Sequence, residues 1–193
     1  MGREDTDNCL KTQYTINFIL NWLWYTLPVD TVSVGNSSSM EKSRKVITSA
    51  GSYLVRKTPE GKYEIFIIHE KWPNGDETYC LPKGSKEKEE SLEEAATRET
   101  TEESGYADFK ILKYIGSRTY ELDWDIIWIK TDHYFLTLLE SEKKVKQNLV
   151  EYEKKIIVDS FWIDIEEGFK MLTNENQTQH HSLVRKFLGI DKN

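Results

Sequence analysis

The chain has 193 residues, with 26 Lys+Arg against 33 Asp+Glu and a formal net charge of −7. That length fits one domain with an extension and buries a core without staples, and the acid excess excludes a general nucleic-acid binder, which needs a broad basic face. Two cysteines, Cys9 and Cys80, are too few for a disulfide framework and point to a reducing compartment, cytoplasmic or nuclear.

Residues 1–45 differ in texture from the rest. Ile16 to Leu27 is apolar and aromatic (Phe18, Trp22, Trp24, Tyr25) but too short to span a bilayer as a helix. Ser33-Val34-Gly35 resembles a small-x-small cleavage site, yet the residues before the apolar run are net negative, which argues against a secretory signal. Met1-Gly2-Arg3-Glu4-Asp5-Thr6 formally fits a myristoylation pattern, with Cys9 as a second acceptor, and membrane contact of 1–45 rests on that pattern alone. The plainer expectation is a helix packed on the domain or an extension that ends in the Asn36–Ser39 linker. Met40 is then an alternative start.

The domain is expected over 46–193. Val46–Lys57 and Tyr63–His69 read as strands around a Pro59-Glu60-Gly61 turn. A helix is predicted over Leu92–Ser104, and long strands over Phe109–Leu122 and Ile126–Leu139. Lys143–Lys155 is a charged connection, followed by a short strand at Ile156–Ile163. Asp164 and Glu167 stand at capping-box spacing for a helix to Leu172, and Leu183, Val184, Phe187 and Leu188 make one face of a terminal helix closed by Gly189. The interleaving lacks a regular βαβ rhythm and implies a mixed sheet with helices packed on it.

The charge is concentrated. Residues 83–105 hold eight Glu against Lys83, Lys86, Lys88 and Arg98, so this stretch alone is −4. On the predicted helix, Ser91 and Glu94 form a capping box and Gly105 a C-terminal stop. Leu92, Ala95 and Ala96 define its sheet-facing side, and at 100° per residue Glu99 and Glu103 project onto that same side, with Glu102 at its edge. Carboxylates converging beside an apolar stripe repel one another and resist desolvation. Arg98, in reach of Glu94 and Glu102 along the helix, cannot neutralise all of them. A hard divalent ion, Mg2+ or Mn2+, would. The adjoining Pro82-Lys83-Gly84-Ser85 loop, with free N–H groups and Lys83, suits a phosphate.

Gly84, Glu90, Arg98-Glu99, Glu102-Glu103 and Gly105 fill all seven fixed positions of G-x5-E-x7-R-E-U-x-E-E-x-G-U, where U is aliphatic, and this 23-residue stretch resembles the Nudix box. Thr100 and Tyr106 replace the two aliphatics, and Tyr79 stands where the family often has Trp. The resemblance implies an α+β fold, an α/β/α sandwich of mixed sheet and flanking helices. It also implies Mg2+-dependent hydrolysis of a diphosphate linkage in a nucleotide-type or inositol polyphosphate substrate. Carried over by position, Glu99, Glu102, Glu103, Glu90 and the Lys83 carbonyl would hold metal, and Glu99 or Glu103 would be the base. Arg98 would orient the glutamates, and Lys83 and Gly84 would bind substrate. Family members recruit a further acid from a later loop, for which Glu151 and Glu153 are candidates. Leu81-Pro82-Lys83-Gly84 is similar to dinucleoside polyphosphate, diphosphoinositol polyphosphate and decapping hydrolases; net −7 weakens the RNA reading. The other class is an idle module binding a nucleotide or a protein partner.

Among the remaining residues, His180 and His181 are expected at the surface or a cap, and His69 in a structural role. Cys80 reads as a small buried side chain, and Trp72, Trp124, Trp128 and Trp162 as core or pocket rim.

Overall fold

The structure is a computed structural model that describes residues 42–123, 125–172 and 178–191; the expectations for 1–41 and for Trp124 lie outside the described residues. Seven strands form one mixed sheet: β1 (Arg44–Lys57), β2 (Tyr63–Lys71), β3 (Glu77–Cys80), β4 (Lys83–Ser85), β5 (Phe109–Asp123), β6 (Ile127–Leu139) and β7 (Ile157–Asp164). Among the described residues four helices join them: α1 (Leu92–Ser104), α2 (Glu153–Ile156), α3 (Ile165–Met171) and α4 (Thr178–Leu188).

The long strands follow from alternation. In β6, Trp128, Lys130, Asp132, Tyr134 and Leu136 point to one face, and Thr131, His133, Phe135 and Thr137 to the other. β6 runs parallel to β1 from Arg44–Ile127 to Val55–Leu138 and antiparallel to β5. β1 passes its other edge to β4 at Ser49–Gly51 and then to β2 at Val55–Lys57. β2 carries β3 and β7. The predicted strands hold with small end shifts. β3 is the strand before the box that carries Cys80, for which the sequence offered no bounds; β4 was not foreseen, because a three-residue piece around Gly84 carries no alternation signal.

Helices cover both faces of the sheet, giving the expected α+β layering. Ala95 and Ala96 of α1 meet Ala50 and Phe135. On the opposite face Tyr53, Ile65, Ile67, Tyr134 and Leu136 pack with Ile165 and Phe169 of α3 and Val184 of α4. Asp164 caps α3 by accepting from the N–H groups of Glu166 and Glu167.

The terminal helix corrects two expectations. Leu183 and Phe187 are about half exposed (48% and 49%), whereas His180 and His181 are buried alongside Val184. The buried stripe therefore runs through 180, 181, 184 and 188, not 183, 184, 187 and 188. Flat rings fit this site. The His181 ring stacks on Phe169 at 4.2 Å and 8° and meets Tyr53 edge-on. His180 lies against Tyr134 and over Gly116, where an added Cβ would come within 2.9 Å of its Nε2.

Burial, with Arg185 nearby, pushes the His181 pKa down to about 4. The native state thus holds it neutral, and the unfolded chain takes up the extra proton between about pH 6.5 and 4. This contribution to stability is complete above pH 6.5 and is lost as pH falls towards 4. His181→Phe is expected to flatten the fall in stability between pH 7 and 4.5 by about 1–2 kcal/mol, read from urea midpoints at the two pH values. Parallel pH curves for variant and wild type would contradict it.

Candidate active site

The site is built on α1. Ser91 Oγ accepts from the Glu94 N–H at 3.1 Å and the Glu94 carboxylate accepts from the Ser91 N–H at 2.8 Å, which closes the capping box. At the other end Gly105 turns the chain out at φ 74° and donates to the Thr101 carbonyl. With its ends fixed and its alanines on the sheet, the helix carries Glu99 and Glu103 inward, 7% and 8% exposed. Thr100 and Tyr106, the two departures from the aliphatic pattern, are also interior. Thr100 is fully buried with its Oγ1 lacking a hydrogen-bond partner among the described residues. The Tyr106 hydroxyl accepts from Trp162 Nε1.

Arg98 organises the carboxylates. Its Nε and one terminal nitrogen grip Glu90 at 2.6 and 2.9 Å, a bidentate pair. Its other nitrogen reaches Glu99 at 2.6 Å and Glu102 at 3.2 Å, and a further bond goes to the Ser85 carbonyl. The expected contact to Glu94 is absent because that carboxylate is engaged by the cap. Glu103 turns the other way and accepts from the Lys83 main-chain N–H at 2.8 Å. Gly84 sits so close that a Cβ would lie 2.2 Å from the Glu99 carboxyl.

The charged connection predicted over 143–155 packs onto this helix. Val145 N–H donates to the Gly105 carbonyl, and Asn148 bonds both the carbonyl and the carboxylate of Glu102. It delivers Glu153, at the start of α2, towards the cluster: Glu153 raises the pKa of both Glu99 and Glu103 by like-charge repulsion. Glu151 is not brought in; it is exposed and paired with Lys154. Glu70 of β2 also acts on Glu103 and Glu153. Sequence reasoning missed it, and only the β2–β3 register, which sets Glu70 opposite Thr78, would have shown it.

Burial, aided by Glu153 and Glu99, pushes the Glu103 carboxyl well above the usual range. Burial likewise raises Glu99, to about 7, despite the Arg98 guanidinium. Among the described residues no three His, Cys, Asp or Glu side chains are gathered as a ready metal cage, since Arg98 bonds three of the glutamates. The donor set nonetheless fits a hard divalent cation. It is all oxygen and anionic, and two of its members are buried with too little positive charge to keep them ionised.

A second cluster lies on the sheet face that carries α3 and α4. The fully buried Asp132 of β6 has Lys83 Nζ at 3.6 Å, an Arg118 terminal nitrogen at 3.5 Å, and the Tyr120 and Tyr134 hydroxyls at 3.4 Å each. Burial would raise the Asp132 pKa, but Lys83, Lys130 and Arg118 outweigh it and hold the carboxyl below the usual range. The neighbouring Lys130 is pushed down to about 8, by burial and then by Lys83. The signal for this group was present in the period-two spacing of Trp128, Lys130, Asp132 and Tyr134 and of Arg118 and Tyr120.

The other candidates are structural. His69 bonds Glu77 and stacks on Tyr79. The Lys86 ammonium binds the carbonyls of Glu87 and Lys88, and Cys80 is partly buried beside Phe66 and Ile68. Trp162 packs on Phe66, and Trp128 is 2% exposed under Lys45.

The NUDIX domain profile matches residues 49–187. An Ap4A hydrolase of C. elegans in a binary complex superposes with a TM-score of 0.56 at 20% identity, covering 74% of this chain and 98% of that one. A second structure of C. elegans Ap4A hydrolase gives 0.51 at 23% identity, covering 75% and 98%. A Listeria monocytogenes protein, provisionally a NUDIX hydrolase, gives 0.56 at 18% identity, covering 75% and 97%. At these identities the structures share the fold. No curated protein matches the chain.

Proposed function

Because the chain belongs to the NUDIX family, we propose that it is a Mg2+-dependent pyrophosphohydrolase that cleaves a diphosphate linkage in a dinucleoside polyphosphate or diphosphoinositol polyphosphate. The observation that carries this reading is the pair of buried carboxylates, Glu99 and Glu103, on the helix face that otherwise packs on the sheet. A purely structural helix would bury apolar groups there. An idle binding module has no use for them. The C. elegans Ap4A hydrolases of the same fold support the polyphosphate side of the reading.

Glu99, Glu102, Glu103 and Glu90, with the Lys83 carbonyl, would hold the metal, which when bound neutralises phosphate charge and makes water more acidic. Arg98 keeps Glu90, Glu99 and Glu102 in one orientation. Glu103 would take a proton from the attacking water, a reading supported by its fixed position at the Lys83 N–H and its raised proton affinity, and Glu99 is the alternative. Gly84 keeps the loop thin enough for Glu99 to fit beneath it.

The test is a substrate panel of diadenosine tetraphosphate, a diphosphoinositol polyphosphate, ADP-ribose, a nucleotide sugar and capped RNA, each with Mg2+ and with EDTA. Metal-dependent release from one of the first two is expected. Binding without turnover of any member would favour the idle module.

A further inference from the structure

We propose that Asn148 is a positioning residue for Glu102. It acts from a strap, residues 145–153, that docks on the end of α1 and sets Glu102 and Glu153 together. The inference rests on the hydrolase reading for the use of the site, and on hydrogen-bond geometry for the strap itself.

The last four carbonyls of a helix have no partner within it. This end of α1 is harder than most to satisfy. Its last turn, Thr101-Glu102-Glu103-Ser104, holds no basic residue, and two acids sit at the negative end of the helix dipole. The donors come from the strap. Asn148 N–H donates to the Glu102 carbonyl at 3.2 Å, and Val145 N–H to the Gly105 carbonyl at 2.8 Å. The Gln147 side-chain amide donates to the Glu103 carbonyl. Gly105 leaves room for this docking: a Cβ there would come within 3.1 Å of Gln147 Cγ and 3.2 Å of the Val145 carbonyl oxygen.

The Asn148 side chain does something different. Its Nδ2 donates to Glu102 Oε1 at 3.1 Å, while Arg98 holds Oε2 at 3.2 Å. The Glu102 side chain is 26% exposed against 9% for Glu99. Packing alone therefore leaves Glu102 rotamer freedom, and two donors on its two oxygens remove it. A neutral amide orients the carboxylate without adding a positive charge that would compete with a divalent ion. The strap then runs on to Glu153, whose Oε2 accepts from the Val150 N–H at 2.9 Å. Its far end meets the hairpin of β2 and β3, where Tyr152 lies edge-on to Trp72 at 6.0 Å and Trp72 Nε1 donates to Thr78 Oγ1 at 3.0 Å. Glu102 and Glu153 are thus tied to one segment anchored at both ends, and its docking aligns two acids of the site at once.

The test compares wild type, Asn148→Ala and Gln147→Ala. Each is melted in EDTA, titrated calorimetrically with Mn2+ without substrate, well below the lowest melting temperature, and assayed for the Mg2+ dependence of diadenosine tetraphosphate hydrolysis. Asn148→Ala keeps every main-chain bond of the strap and is expected to melt with wild type. It should bind Mn2+ about tenfold more weakly, the loss that follows removal of a bond behind a metal ligand. Half-maximal activity should need about tenfold more Mg2+ for the same reason. Gln147→Ala loses a bond to a carbonyl and none to a carboxylate, so it is expected to melt lower and to bind Mn2+ as wild type does. Wild-type Mn2+ affinity in Asn148→Ala overturns the proposal. So does a melting loss in Asn148→Ala as large as that in Gln147→Ala, or an affinity loss shared by both variants, since either makes the strap merely structural. The titration needs no turnover. A wild type that binds Mn2+, with that affinity weakened in Asn148→Ala, but cleaves no substrate would sink the hydrolase reading and leave the positioning role standing; a wild type that binds no Mn2+ ends both.

Discussion

Glu103→Gln is expected to lower kcat by about 10²–10⁴-fold, the usual contribution of a positioned base, while the protein melts at or slightly above the wild-type temperature. The two halves of this expectation have one cause. Glu103 is 8% exposed and its carboxyl is raised by burial and by the charges of Glu153 and Glu99. A neutral amide of the same shape removes that repulsion and can still accept from the Lys83 N–H, now 2.8 Å from the carboxylate. What it cannot do is take a proton or offer a divalent cation an anionic oxygen. Stability stored against function in this way is characteristic of catalytic carboxylates. The check is kcat at saturating substrate and Mg2+ beside a thermal melt. Activity within threefold of wild type would remove Glu103 from the chemistry, and a large fall in melting temperature would make its role structural.

The second large effect is in the sheet. Gly51→Ala should destabilise the protein by about 3 kcal/mol, at the upper end for overpacking. The added Cβ would lie 2.2 Å from the Pro82 carbonyl oxygen, 2.3 Å from Lys83 Cβ and 2.8 Å from Lys83 Cα. None of these is the yielding end of a side chain, so β1 and β4 must part, with loss of the Ser52 N–H bond to Pro82 at 3.0 Å. Activity should fall further than stability alone explains, because Lys83 moves away from Glu103. Gly75→Ala is the contrast. It meets nothing within 4 Å, and only its φ of 90° resists, for about 1 kcal/mol. Urea midpoints for the two variants decide the matter; equal values would mean that the contact between β1 and β4 is softer than its geometry indicates.

The helix bearing the glutamates was readable to the residue, Leu92 to Ser104, because caps at both ends and a mismatch between acid and apolar face all agreed. The long strands were readable from alternation. The limits of local pattern show at α4, where His180 and His181 were expected outside. Nothing in 180–188 says that Phe169 and Gly116 offer a ring-sized slot there. Glu70 was hidden for the same reason, since its effect on Glu103 and Glu153 crosses 33 and 83 residues of chain. Glu153 was named with Glu151 from the resemblance, and only the loop laid across α1 separates the two. The Asp132 cluster left its mark in the period-two spacing of β5 and β6, but its meeting with Lys83 depends on strand register. Arg98 was given the wrong partner in Glu94, since the cap and the arginine compete for one carboxylate and the cap bond is the shorter reach.

Lys83 has a division of labour within a single residue. Its main chain serves Glu103 and pairs with Gly51, and neither contact depends on which side chain position 83 carries. Among the described residues its ammonium has Asp132 as its ion-pair partner. A side-chain substitution at position 83 therefore leaves the main-chain contacts to Glu103 and Gly51 in place, and a Lys83 variant reads the ammonium's part separately from the loop's.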